Sequence, residues 1–152
     1  MVQSNFGSTE NLMVGGRAAG KEIARITVPQ ALDRGSIMTV IATDLPVSDR
    51  QLKRIIKRAG VGLSRTGSYM GHGSGDIMIG FTTANRIPEQ TEKELLSIRI
   101  LKENALETAF TAAAEATEEA VLNSLAMAKT TTGCKGNVVH SLTDLWLSKG
   151  QA

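Results

Sequence analysis

Two short runs of apolar and β-branched residues constrain this chain most strongly. They are Ser36–Thr43 and Asp76–Thr83, and a segment with helical periodicity stands between them. Runs of this length that are almost wholly apolar are typical of strands covered on both faces. A longer helical pattern follows at about 94–129. The order strand, helix, strand, long helix predicts an α+β domain in which helices pack on a sheet.

Both helical segments carry boundary or packing signals. The first begins after Ser48, a good N-cap residue, and runs to about Ala59, with Gly60 as the expected stop. The second is clearest from Asn104 onward, where apolar residues recur every three to four positions. Its many alanines favour helix and permit close packing on a sheet.

Other segments give weaker signals. A loose alternation over Glu22–Val28 predicts a strand that ends at Pro29. The stretch 62–75 is dense in glycine. Asn137–His140 is interpreted as a last strand, and the tail to Ala152 as a short amphipathic stretch.

Composition excludes several classes of function. One cysteine, Cys134, rules out an intrachain disulfide framework and a cysteine-rich zinc site, and two histidines leave little for a histidine-based metal centre. Aromatic residues make up only 3% of the 152 residues, so a stacking platform for single-stranded nucleic acid is not expected. No apolar run approaches the roughly 18 residues that span a bilayer, so we expect no membrane protein.

Five basic side chains cluster on the first helical segment. A solvated outer face of an amphipathic helix is the simpler interpretation. A nucleic-acid patch is the alternative, and nothing else in the chain supports it. The five residues are Arg50, Lys53, Arg54, Lys57 and Arg58.

The first candidate for chemistry is Ser36, which follows Gly35 at the head of the first strand. It is either a plain strand-start residue or a nucleophile. A serine that is freed as an N-terminus carries its own base, because an α-amine has a pKa of about 7.7–8.0 and can take the hydroxyl proton. A glycine before it allows the backbone geometry that attack on its own carbonyl needs.

Two further candidates lie elsewhere in the chain. The loop Gly71–Asp76 lacks the Gly-Lys-Ser/Thr of a phosphate-binding loop and the spacing of a nucleophile elbow. It is either a plain glycine-rich turn or a place where Ser74 and Asp76 orient a nucleophile, with both side chains on one face if the strand has begun by then. His72 is interpreted as a loop residue rather than a base. Asn5 is either a turn former or an amide donor that holds an oxyanion.

Taken together, these residues resemble the C-terminal part of the self-processing aminopeptidases, namely the L-aminopeptidase/D-esterases (DmpA-type) and the β-peptidyl aminopeptidases. Several motifs in the right order carry the resemblance, which covers nearly all of the chain. They are Val2–Gly7, Gly35–Asp44, Gln51–Leu63, Arg65–Gly67, Gly71–Ile77, Phe81–Asn85, Ala126–Ala128 and Thr130–Gly133.

The resemblance implies a fold and a mechanism. The fold would be part of an αββα sandwich of the N-terminal-nucleophile-like type (DmpA/ArgJ-like). A precursor would cut itself between Gly35 and Ser36, so that residues 1–35 end the N-terminal (alpha) subunit and residues 36–152 form the C-terminal (beta) subunit. Ser36 would then be the nucleophile.

The resemblance also implies roles for three other residues. Ser74 and Asp76 would support the nucleophile, although some members carry glutamate at the position of Asp76. Asn5 would help to hold the tetrahedral oxyanion. The family's upstream portion supplies a tyrosine near that oxyanion, and Tyr69, the only tyrosine here, does not stand where it is expected.

From the resemblance we expect an aminopeptidase that releases N-terminal residues from short peptides, amides or esters, without a metal or organic cofactor. The chain looks truncated, so it is expected to need the missing upstream portion, to form a homo-oligomer and to be cytoplasmic. The alternative is an inactive remnant or interaction module that keeps only the fold. Retention of Asn5, Ser36, Ser74 and Asp76 argues against long decay.

Overall fold

A computed structural model describes residues 1–27 and 35–146. Within these ranges, no helix is both long enough and apolar enough to cross a membrane. The strands are β1 (Val2–Ser4), β2 (Ile37–Thr43), β3 (Ile77–Thr82), β4 (Thr131–Thr132) and β5 (Val138–Val139). The α-helices are α1 (Ala19–Ala24), α2 (Asp49–Ile56), α3 (Ala59–Arg65), α4 (Glu107–Met127) and α5 (Leu142–Leu145), and short 3-10 turns lie at Thr9–Asn11, Glu103–Leu106 and Cys134–Gly136.

Strand β2 is the centre of the three-stranded sheet, whose order is β1-β2-β3. It pairs antiparallel with β1, with Ser4 opposite Ile37. On its other side it pairs parallel with β3, with Met38 opposite Ile77. Helices α2 and α3 form the crossover that a parallel pair requires. Both predicted strands are confirmed, each within one residue of its expected bounds.

The helices cover one face of the sheet. Ile37 of β2 is buried in a cluster with Leu63 of α3 and Val121 of α4. A second cluster joins Ile55 of α2 to Phe110 of α4. Because side chains alternate along a strand, every second residue of β2 faces this helical layer.

The opposite face of the sheet is apolar and open. Directly opposed residues on neighbouring strands share a face, so the residues alternating with the inner set line up together. Their exposed fractions are Met38 47%, Ile77 50%, Ile79 52% and Phe81 51%. The sequence predicted strands covered on both faces, whereas the described part of the chain covers only one.

The predicted strand over Glu22–Val28 is wrong, because helix α1 occupies Ala19–Ala24. Ala19 and Ile23 are buried at the four-residue spacing of one helix face. The helix also lies against the preceding turn, since a Cβ on Gly20 would come within 1.9 Å of the Thr9 carbonyl oxygen. The packing of Ala19, Gly20 and Ile23 against the rest of the protein therefore decides the structure of this segment. The local alternation of apolar and polar residues does not. Val28 and Pro29 lie outside the described residues.

Gly60 does not stop a helix as predicted. The Ser48 N-cap is confirmed, and its hydroxyl and the Gln51 side chain form a reciprocal capping box. However, α2 ends at Ile56, and Gly60 lies inside α3, which continues to Arg65. The glycines of α3 serve packing instead, because a Cβ on Gly62 would lie 2.3 Å from the Ala114 carbonyl oxygen of α4.

The start of α4 also differs from the pattern. Helix α4 begins at Glu107, after a 3-10 turn, and not near Glu94. The segment before it has no regular secondary structure, and the Asn85 side chain hydrogen-bonds to both the Arg99 N–H and its carbonyl. The predicted last strand is present as β5, which pairs with β4. The tail forms α5, and residues 147–152 lie outside the described ranges.

The basic face of α2 is partly used within the molecule. Arg50 and Arg54 both contact the Glu103 carboxylate. The Arg58 guanidinium lies 3.9 Å from the Phe110 ring centroid, as a cation stacked on an aromatic face. These contacts support the interpretation of this surface as a structural, solvated face.

Candidate active site

Ser36 lies at the head of β2, between the end of β1 and the loop that leads into β3. The antiparallel register brings Asn5 opposite Ser36. The Asn5 N–H donates to the Ser36 carbonyl over 3.0 Å. The Ser36 N–H in turn donates to the Asn5 side-chain oxygen over 2.9 Å. Asn5 therefore holds the backbone of Ser36 from the β1 side.

The loop before β3 holds the hydroxyl of Ser36. The Gly75 N–H donates to Ser36 Oγ over 3.0 Å. A Cβ on Gly75 would lie 3.3 Å from the same oxygen, so glycine permits this close approach. The candidate residues chosen from the sequence do not include Gly75. The available signal was the placement of this glycine between Ser74 and Asp76, two candidate residues.

Asp76 joins the two neighbouring strands at this end of the sheet. Its Oδ1 accepts the Ile37 N–H over 3.0 Å and the Ser74 hydroxyl over 2.5 Å. Both Ser74 and Asp76 precede β3, which starts at Ile77, so strand alternation does not align them. A hydrogen bond within the loop brings them together instead.

Gly35 approaches Asn5 more closely than any other residue type could. A Cβ on Gly35 would lie 1.6 Å from the Asn5 carbonyl oxygen. From the sequence, backbone freedom is the reason to expect glycine here. The structure adds a steric reason, because the peptide bond between Gly35 and Ser36 runs against the end of β1.

The structure thus brings Asn5, Gly35, Ser36, Ser74 and Asp76 into one linked group. Ser36, Ser74 and Asp76 are partly buried, whereas Asn5 is exposed. Since Ile37 faces the helices, strand alternation places Ser36 on the open apolar face of the sheet. The group therefore lies at the border of a surface that the described residues leave uncovered.

Two other residues considered from the sequence stand apart from this group. Within the described residues, His72 makes no hydrogen bond to any of the five. Tyr69 is 67% exposed, and its ring packs on Gly71, where a Cβ would lie 2.9 Å from Cε2. Across residues 1–27 and 35–146, no three side chains among His, Cys, Asp and Glu are grouped so that they could hold a metal ion.

The arrangement offers the parts of an acyl-transfer site. It has a hydroxyl that accepts a backbone N–H, a side-chain amide beside it, and a carboxylate that orients a second hydroxyl. Among the described residues, the Asn5 Nδ2 amide group donates to no protein acceptor. Such a donor beside a nucleophile is suited to an oxyanion.

The model of peptidase family S58 matches residues 1–139 of the chain. The chain belongs to this family. A curated relative, the β-peptidyl aminopeptidase BapA of Sphingosinicella microcystinivorans, is 37% identical over 93% of the chain. The alignment covers 39% of that relative.

Solved structures of similar proteins show the same fold. The L-aminopeptidase D-Ala-esterase/amidase of Ochrobactrum anthropi, described as a variant of the Ntn hydrolase fold, matches with a TM-score of 0.81 at 34% identity. The alignment spans 93% of this chain and 39% of that one. A Pyrococcus horikoshii protein matches with a TM-score of 0.79 at 42% identity, over 93% of this chain and 38% of its own.

These matches confirm the predicted fold class. The chain is mixed α and β and has part of the N-terminal-nucleophile hydrolase fold of the family. It spans about 39% of the length of the relatives that it matches.

Proposed function

We propose that this chain is the nucleophile-bearing part of a serine aminopeptidase that also cleaves amides and esters. It would release N-terminal residues from short peptides, amides or esters, after the precursor has cut itself between Gly35 and Ser36. The observation that carries the proposal is the environment of Ser36, whose hydroxyl, N–H and carbonyl each have a partner that belongs to the family motifs.

The groups that would react with each other in self-cleavage belong to this chain. Ser36 Oγ would attack the Gly35 carbonyl carbon, forming a C–O bond as the C–N bond breaks. The hydroxyl proton would end on the Ser36 nitrogen, which becomes an α-amine. Water would then hydrolyse the ester and leave a carboxylate on Gly35. The missing Cβ of Gly35 lets this peptide bond lie directly against Asn5.

In the processed enzyme, the new α-amine would act as the base. Its ordinary pKa of about 7.7–8.0 suits proton transfer near neutral pH, first from Ser36 Oγ and then to the leaving group. The Asn5 side-chain oxygen already accepts a hydrogen bond from the Ser36 nitrogen, which supports its role in aiming the amine. The other end of the same amide would donate to the oxyanion.

Ser74, Gly75 and Asp76 would act as supports. The Gly75 N–H would stabilise negative charge that develops on the serine oxygen during attack. The Asp76 carboxylate would hold the head of β2 through Ile37 while orienting the Ser74 hydroxyl. None of these steps draws on a metal or an organic cofactor.

The remaining length of the family would complete the enzyme. The apolar open face of the sheet borders Ser36, and the relatives are much longer than this chain. Both observations support the proposal that a second layer, supplied by the missing upstream portion, covers this face. The same proposal includes the division into two subunits between residues 35 and 36, a homo-oligomer and a cytoplasmic location.

The test uses the chain produced together with the rest of a longer relative, such as the Pyrococcus horikoshii protein, hereafter the completing portion. Intact mass should reveal a species that begins at Ser36, and an aminoacyl-p-nitroanilide should be hydrolysed. Ser36→Ala should abolish both results. Ser64→Ala is the matched control, because its exposed hydroxyl bonds only within α3.

A persistently uncut chain, together with hydrolysis that Ser36→Ala leaves unchanged, would falsify the proposal. An inactive interaction module is the second candidate, and the partial length of the chain favours it. That candidate predicts stable assembly with the completing portion but neither cleavage nor hydrolysis.

A further inference from the structure

Asn5 lies just past the end of β1, where the chain leaves the sheet. Strand β1 ends at Ser4, and the Asn5 N–H donates to the Ser36 carbonyl. Gly7 then turns the chain with a φ of 83°. Since side chains alternate along an extended segment, Ser4 and Phe6 face the helices while Asn5 faces the open side. The position of the Asn5 amide therefore depends on how its two neighbours are held.

A pair of hydroxyls joins Ser4 to helix α4. Ser4 Oγ lies 2.9 Å from Ser124 Oγ in a partly buried contact. The Ser124 hydroxyl donates its proton to the Val121 carbonyl over 2.8 Å. A hydroxyl has one proton to donate, so Ser124 accepts from Ser4. The hydrogen bonds therefore run in one direction, from β1 to a backbone carbonyl of α4.

Apolar packing beside the hydroxyl pair makes this contact specific. Phe6 packs against the buried cluster that contains Ile37 and Val121. A partly buried hydroxyl that loses its partner in such surroundings becomes an unsatisfied polar group, which is costly. Ser4 therefore has one favoured position relative to α4. The bond between Ser4 and Ser124 fixes the end of β1 from one side of Asn5, and Phe6 fixes it from the other.

We propose that Ser124 is a positioning residue of the active site, and that it acts through Ser4 on Asn5. The inference rests on the proposed function. Ser124 holds the end of β1 where the Asn5 side-chain oxygen accepts the Ser36 N–H and the Asn5 N–H reaches the Ser36 carbonyl. Loss of the bond between Ser4 and Ser124 lets the Asn5 amide move relative to Ser36 and to the developing oxyanion.

A bond that only held α4 against the sheet would behave differently. Its loss would slow hydrolysis by the same factor whether or not the Asn5 side chain is present. A positioning residue, in contrast, loses its effect once the side chain that it places has been removed. A double-mutant cycle between Ser124 and Asn5 therefore separates the two roles.

The test uses the chain assembled with the completing portion and an aminoacyl-p-nitroanilide. Ser124→Ala should lower kcat about 10-fold with little change in KM, because a misplaced amide weakens a contact made in the transition state. In an Asn5→Ala background, the same change should lower kcat by less than about 2-fold.

Three further variants sharpen the cycle. Ser4→Ala breaks the same hydrogen bond from the strand and should match Ser124→Ala, so the test remains if one of the two variants fails to fold. Ser124→Thr keeps a hydroxyl and should restore most of kcat. Thr111→Ala is the matched control on the same helix, because its exposed hydroxyl donates to the Glu107 carbonyl, and it should leave kcat unchanged.

Amide hydrogen exchange gives a readout that does not depend on activity. The Asn5 N–H should exchange at least about 5-fold faster in Ser124→Ala than in the unaltered assembly, because its bond to the Ser36 carbonyl opens more often. The Thr83 N–H donates to the Thr43 carbonyl at the other end of β2, and its exchange should be unchanged. Equal acceleration at both amides indicates that the whole sheet has loosened, which overturns the positioning role.

Two other results overturn the proposal. They are an equal loss of kcat in both backgrounds, and unchanged exchange of the Asn5 amide in Ser124→Ala. If the unaltered assembly neither cuts itself nor hydrolyses the substrate, the proposed function fails separately, and the exchange comparison still decides whether Ser124 positions Asn5. The same comparison decides the question if Asn5→Ala has no measurable rate.

Discussion

The Asp76 carboxylate accepts two hydrogen bonds on one oxygen, one from β2 and one from Ser74. Hydrogen bonds to a charged acceptor contribute about 1.5–3 kcal/mol, and 1.36 kcal/mol corresponds to a tenfold change in rate. Asp76→Asn should therefore lower kcat about 10- to 100-fold in the completed enzyme, with little change in KM. Steady-state hydrolysis of an aminoacyl-p-nitroanilide measures this.

Two variants accompany the Asp76 prediction. Asp76→Glu should restore part of the loss, because it returns the charge with a longer reach. Asp44→Asn changes an exposed carboxylate elsewhere and should leave kcat unchanged. Unaltered kcat in Asp76→Asn would contradict the role of this carboxylate.

Gly35 is expected to tolerate no side chain. In Gly35→Ala the added Cβ would collide with the Asn5 carbonyl oxygen, and the backbone before Ser36 must move. Misplacement of a reacting group by about 1 Å can cost 10²-fold in rate, so cleavage should slow by about that factor. A time course of intact mass measures it. Gly133→Ala is the control, because a Cβ at this position would meet no atom closer than 3.6 Å. Equal cleavage rates in Gly35→Ala and Gly133→Ala would refute the steric argument.

Thr39 carries a buried hydroxyl without a partner in the described chain. An unsatisfied buried polar group costs about 1–3 kcal/mol, so Thr39→Val should raise the free energy of unfolding by about 1 kcal/mol. Thr117→Val is the matched control, because that buried hydroxyl donates to the Ala113 carbonyl over 2.7 Å. Denaturant titration measures the free energy of unfolding of both variants and of the unaltered chain. A loss of stability in Thr39→Val would show that this hydroxyl has a partner.

At the level of elements, the end of α5 is tied to α1 by Trp146. Its indole N–H donates to Glu22 over 2.6 Å, and Arg17 pairs with the same carboxylate. The indole hydrogen bond and then the Arg17 contact hold the pKa of Glu22 below its ordinary value. A carboxyl with a lowered pKa stabilises the folded state above its unfolded pKa. That contribution is lost as pH falls through the folded pKa.

The emission of Trp146, the only tryptophan, should report this link. We expect it to change with an acid transition that lies at lower pH than the titration of an ordinary glutamate. Glu22→Gln should remove this acid transition, whereas Glu10→Gln should leave it in place. A transition that persists in Glu22→Gln would exclude the carboxyl as its cause.

Glycines explain most of the errors in element prediction. The pattern predicts a helix stop at Gly60, yet Gly60 and Gly62 both lie in α3. Gly62 lets α3 contact the α4 backbone, and Gly20 does the same between α1 and the turn before it. A sequence shows that a glycine is present, but whether it ends a helix or allows a close contact depends on the neighbouring element.

For the whole molecule, the open sheet face should be an assembly surface. Ile79 is half exposed there, and a glutamate would remain solvated in the isolated chain. Once the completing portion covers this face, an unpaired charge on it costs several kcal/mol. Ile79→Glu should therefore reduce co-purification with a tagged completing portion at least about 10-fold. Val61→Glu, on the exposed side of α3, should not. Equal recovery of both variants would place the contact elsewhere.

The sequence by itself determined the two central strands, the Ser48 cap, much of α4 and the family, because periodicity and capping are local and the motifs are distinctive. It also selected Asn5, Ser36, Ser74 and Asp76 as candidates. Only the tertiary structure decided that one carboxylate links Ser74 to Ile37 and that the Gly75 N–H meets Ser36. These contacts join residues about 40 positions apart, and their distances depend on strand register and close backbone approach, which no local pattern encodes.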